Sequence, residues 1–174
     1  MGQDVYENEM RVVNGVDYIR GLVGKDSVQI DPRDLPYPNT GSGFLEKILS
    51  NGKWYRIAIG GVGSQPSSAI INIGRHYSYG SPSGRLLYVF ADGFSGNPIV
   101  SQFAKGGSDS DVGKVRILYK GSTTENVMLD IYIKSANSNN YKICFSNNIN
   151  FSFQTPEEVS EAIPEGYSVK EFSF

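Results

Sequence analysis

From Asn126 to Lys134 the chain alternates without a fault. Val127, Leu129, Ile131 and Ile133 fall on one side; Met128, Asp130, Tyr132 and Lys134 fall on the other. A period of two marks a β-strand with one face on a core and one face toward water. A sheet that is wet on one side is antiparallel. Such a strand must find partners of its own kind, so this segment alone commits the chain to a β-rich fold.

Further strands follow the same logic. Ser68 to Gly74 carries Ala69, Ile71 and Ile73 on one face. Leu86 to Ala91 is apolar on both faces, as an interior strand would be. Pro98 to Ala104 is a weaker case. Lys114 to Lys120 sets Val115, Ile117 and Tyr119 against Lys114, Arg116 and Lys120. Tyr141 to Phe145 follows a polar loop, Ile149, Phe151 and Phe153 alternate with Asn150, Ser152 and Gln154, and Tyr167 to Phe172 closes the series. Phe44 to Leu49 suits a strand or a helical turn. The Ser50-Asn51-Gly52-Lys53 that follows directs it into a hairpin with Trp54 to Ile59.

One segment reads as a helix. Thr155 is placed to cap, Pro156 to open, and Glu157 and Glu158 to meet the positive end of the dipole, with Pro164 and Gly166 as the stop. Residues 1–35 read as hairpins: Glu9 to Val13 turns through Asn14-Gly15 into Val16 to Leu22, and Gly24-Lys25-Asp26 leads to Ser27 to Ile30. Asp31 to Leu35 looks like one helical turn. Residues 36–43, rich in Pro, Gly, Ser and Asn, form a linker. The expected architecture is all-β: a jelly-roll-like antiparallel β-sandwich over 44–174, an N-terminal β-hairpin segment, and one short C-terminal helix. The 1–35 segment has too few apolar residues to stand alone and must pack on the main domain or on another copy.

A net charge of -2, with no basic stripe, argues against nucleic acid and anionic membrane as partners. Cys144 is the single cysteine, so no disulfide forms within the chain, and its place between Ile143 and Phe145 predicts a buried thiol. No apolar stretch is long enough to span a membrane as a helix. The first residues lack a secretory signal, which predicts synthesis in the cytoplasm.

Catalytic parts are scarce. The single histidine, His76, stands in Arg75-His76-Tyr77-Ser78-Tyr79-Gly80 without a partner at metal or triad spacing. The run Gly60-Gly61-Val62-Gly63-Ser64 follows a strand but precedes no helix, so it reads as a flexible loop rather than a phosphate cradle. Asp109-Ser110-Asp111 lacks the rest of a calcium loop and reads as a solvated turn. No metal or cofactor is expected. What remains is Tyr, Phe and Asn in loops. Aromatic faces stack on sugar rings and amides bond hydroxyls, while turn formation accounts for the same residues. On the first reading Tyr77, Tyr79, Phe94 and His76 contact ligand.

Asn51-Gly52-Lys53-Trp54-Tyr55-Arg56-Ile57-Ala58 resembles the opening strand of phage and prophage tail-fibre, receptor-binding jelly-roll domains. Ser68 to Ile73, Leu87-Tyr88-Val89-Phe90, Val115-Arg116-Ile117-Leu118-Tyr119 and Leu129-Asp130-Ile131-Tyr132 follow in that family's order. Val16 to Leu22 resembles the leader of similar proteins in Bacteroidales prophages. The resemblance implies a homotrimer, a virion-tail location outside the cell after release, docking to other tail proteins through residues 1–35, and loops aimed at a cell-surface glycan. It brings no catalytic residue. Three rivals stand beside it: a monomeric carbohydrate-binding module, a purely structural virion component, and a glycan-cleaving enzyme with an unmarked carboxylate pair.

Overall fold

The computed structural model describes residues 19–23, 26–30, 43–75, 83–94, 96–107, 112–122, 124–134 and 139–174. The chain divides into two compact units, Met1–Tyr37 and Pro38–Phe174. In the first, β1 (Ile19–Val23) and β2 (Asp26–Ile30) pair antiparallel, from Ile19↔Ile30 to Val23↔Asp26. The Asn14-Gly15 hairpin, the turn at Asp31 to Leu35 and linker residues 36–42 lie outside the described residues.

The second unit is an antiparallel sandwich of ten strands, β3 (Gly43–Leu49), β4 (Lys53–Val62), β5 (Ser67–Arg75), β6 (Ser83–Ala91), β7 (Ile99–Gly107), β8 (Val112–Tyr119), β9 (Asn126–Ile133), β10 (Asn139–Ile149), β11 (Ser152–Val159) and β12 (Ser168–Ser173). Sheet I has the order β3-β10-β5-β6-β7 and sheet II the order β11-β4-β9-β8-β12. β3 pairs with β10 in one sheet while β4 pairs with β9 in the other, so the first two strands of the sandwich nest against two late ones. The two inner faces meet in one core, with Ile71, Leu87 and Ile143 from sheet I against Ile57, Leu129 and Ile131 from sheet II. Stacked rings of Phe145 and Phe153, with centroids 3.9 Å apart, link β10 to β11 across the sheets.

Five expectations are corrected. The C-terminal helix is absent: Thr155 to Val159 is the end of β11, with Glu157↔Arg56 and Val159↔Trp54 in register with β4. The helix signal spanned barely two turns, too short to hold in water alone, and sheet pairing outweighs it. Pro156 fits because β11 is an edge strand whose register shifts between Phe153 and Glu157, where no ladder donor is needed. The Asn51-Gly52 turn does not make a hairpin either. It carries the chain from sheet I to sheet II, with Gly52 at φ 67° donating its N–H to the Ile133 carbonyl at 2.8 Å.

Cys144 is exposed rather than buried, because β10 turns Ile143 inward and therefore turns Cys144 outward. Gly60 to Val62 are not loop: β4 runs through them, and the turn begins only at Gly63. The alternation from Ile149 to Phe153 also straddles a reversal. β10 ends at Ile149, Asn150 takes φ 56°, and Phe151 donates to the Ile149 carbonyl before β11 begins.

Candidate functional site

His76, Tyr77 and Tyr79 lie outside the described residues, between the end of β5 at Arg75 and the start of β6 at Ser83. Phe94 follows the other end of β6. A nine-residue strand separates those ends by about 27 Å at roughly 3.3 Å per residue. Phe94 is 54% exposed and stands where several described loops of the sandwich meet.

Three connections meet at that end: β4–β5, β6–β7 and β8–β9. Their backbones are joined in series. Gly121 donates to the Gly93 carbonyl at 2.9 Å, Gly93 to the Gly63 carbonyl at 2.8 Å, and Gly63 to the Glu125 carbonyl at 3.2 Å. The middle link has no room for a side chain: a Cβ on Gly93 would stand 3.0 Å from the Glu125 carbonyl oxygen. The β10–β11 connection is tied in as well, with Asn150 Nδ2 donating to the Pro66 carbonyl at 2.8 Å.

Phe94 is fixed on this base. Its N–H donates to Asp92 Oδ1 at 2.9 Å, an Asx turn that sets the local backbone. Gly96, at φ 66°, lies against the Tyr119 ring. Lys120 reaches the Tyr167 ring at 5.5 Å and Glu125 at 3.6 Å. An exposed aromatic ring on preorganised loops, with paired charges nearby, offers a stacking platform at little ordering cost.

The most concentrated polar cluster lies elsewhere and serves structure. Asp130 is wholly buried on the outer side of sheet II. Its carboxylate accepts from Arg56 Nε at 2.9 Å and from Arg116 Nε at 3.0 Å. Arg116 also donates to the carbonyls of Glu161 at 2.9 Å and Ser160 at 2.7 Å, and lies 4.4 Å over the Trp54 ring. Both carboxylate oxygens are engaged by guanidinium donors and the residue is wholly buried, so the cluster is a structural ion-pair network.

Two open clefts flank Trp54 and Tyr132 on the same side, about 290 Å³ beside Lys53 and Glu158 and about 350 Å³ beside Lys114 and Lys134. Two ion pairs lie there: Lys53 meets Glu158 at 2.8 Å and Lys114 meets Glu171 at 3.2 Å. The hydrogen bond that Lys53 donates to Glu158, and then the Glu158 charge, raise the Lys53 ammonium above lysine's ordinary 10.5. Among the described residues no three His, Cys, Asp or Glu side chains come together as metal ligands, and no helix is long and apolar enough to cross a membrane.

Phe94 was legible as a candidate because an aromatic stood among turn residues. Its supports were not, since Gly63, Gly93 and Gly121 sit in three separate segments with no common motif. Comparison with family models, curated proteins and solved structures gives no match.

Proposed function

We propose that this chain is a non-catalytic receptor-binding component of phage-tail-fibre type, acting as an oligomer, and that the loop end bearing Phe94 is the surface it offers to a cell-surface glycan. The observation that supports this most is the backbone relay through Gly121, Gly93 and Gly63, which holds an exposed aromatic on a rigid base. Binding residues on loops held by a stiff scaffold are the usual arrangement for recognition. In this reading residues 1–35 dock to other tail proteins, and the molecule works outside the cell on a virion tail.

A glycan array followed by calorimetry on the best ligand tests the proposal. Replacing Phe94 by Ala is expected to weaken binding about five- to thirtyfold, with the thermal midpoint unchanged, because a stacked ring contributes on the order of 1–2 kcal/mol. Absence of glycan binding, or binding indifferent to Phe94, would reject it.

A further inference from the structure

The outward side of sheet I carries little charge. Along its described rows, Phe44, Cys144, Asn72, Leu86 and Ala104 are register neighbours, as are Ile70 with Tyr88 and Phe90 with Ile99. A bulge on β7 between Gln102 and Ala104 turns Phe103 to the same side, where it stacks on Tyr88 with centroids 6.3 Å apart. Phe103 is 60% exposed, Phe44 51% and Ile99 49%. Among the described outward side chains of this sheet only Glu46 and Lys142 are ionised, and they pair at 3.8 Å. An aromatic-rich face depleted of charge has the composition of an interface core. An apolar patch of this breadth marks a site of association.

We infer that this face of sheet I is the contact between copies of the chain. The inference rests on the oligomeric reading above and assigns it a surface. Charge allows it: the face is neutral and its one ion pair is internally satisfied, so two identical faces meet about a two-fold axis without repulsion, which makes a dimer where the resemblance implied a trimer. Size allows it as well. Five strands about 4.8 Å apart and roughly eight residues long present about 600 Å². Two such faces together bury about 1,200 Å², the lower bound for a specific, stable interface. The relief is complementary too: the Tyr88–Phe103 pair stands proud, while a hollow of about 380 Å³ opens over Gly84 and Gly106, where side chains are missing.

The test is sedimentation velocity on the full chain at micromolar concentration, with the alkylation rate of Cys144 as a second readout, since Cys144 lies on this face beside Phe44 and Asn72. The wild type is expected to assemble and to shield Cys144. Phe103→Glu is expected to raise the dissociation constant at least about 30-fold, as loss of a hot-spot ring does, and to free the thiol with the circular dichroism unchanged. Assembly with a freely reactive Cys144 would overturn this surface while leaving the oligomeric reading intact. A monomer with a reactive Cys144 would overturn both, and a monomer with a shielded Cys144 would show that the chain covers the face itself.

Discussion

The two outer faces of the sandwich begin from similar strands and end in opposite states. On sheet II, β11 and β12 are the two edges, and the eight residues between them, 160–167, pass from one edge to the other over the outer side. Arg116 holds the backbone carbonyls of Ser160 and Glu161, and beneath lie Asp130 and Leu118, both wholly buried although their parity points them away from the core. On sheet I no described segment plays that part, and Phe103 and Ile99 remain in water. A sheet face is closed either by its own chain or by something else. The polar residues mark the closed side here: once covered, Asp130 needs two arginines, whereas the open side needs only one surface ion pair.

Substitutions can break that contrast. The largest effect is expected for Asp130→Ala, which leaves Arg56 and Arg116 side by side without their counter-charge. A loss of about 3–5 kcal/mol in urea unfolding is expected, together with faster amide exchange through residues 160–167. A matched pair then compares the faces directly. Leu118→Ala on the covered face is expected to cost about 2–5 kcal/mol. Leu86→Ala on the open face, measured at concentrations where the chain is monomeric, is expected to cost less, under about 1.5 kcal/mol, because that side chain is only partly buried. Equal losses at the two sites would erase the distinction.

The smallest effect belongs to Lys53→Ala, which breaks an exposed pair with Glu158 and is expected to leave the unfolding midpoint within error at neutral pH. The folded-state ammonium is held above lysine's ordinary value, so its contribution is present below about 10.5 and fades as pH rises through the raised value. A titration between pH 9 and 11 (approximate limits) that shows the opposite slope would contradict the assignment.

How far the sequence could be read followed from range. The inward set of β9, Val127, Leu129, Ile131 and Ile133, is buried as its alternation requires. Its outward set is not uniformly wet. Asp130 looks solvent-facing from its own strand, and only a segment thirty residues later takes the water away. Thr155-Pro156-Glu157 states a helix in local terms, and pairing with a strand a hundred residues earlier overrules it. Asn51-Gly52 does turn the chain, but a turn does not say which sheet receives the next strand. At the loop end Phe94 was visible as an aromatic among turn residues, while its footing depends on three glycines that meet only in the fold. Local chemistry thus located strands and the exposed ring, whereas covers, crossovers and loop joints came from contacts between distant segments.

The nesting of β3 with β10 and of β4 with β9 has a kinetic consequence. β10 lies between β3 and β5, and β9 between β4 and β8, so each sheet is missing an interior strand until the later part of the chain has been made. A growing polypeptide that stops before Asn126 would have β3 without its neighbour and β4 without either of its own. Such pairings close long loops before they return any energy, which places folding in the millisecond-to-second range and in one cooperative step. During synthesis β4, β5 and β8 therefore wait with open edges for strands not yet translated, and it is in that interval, rather than in the finished molecule, that the protein is most exposed to aggregation.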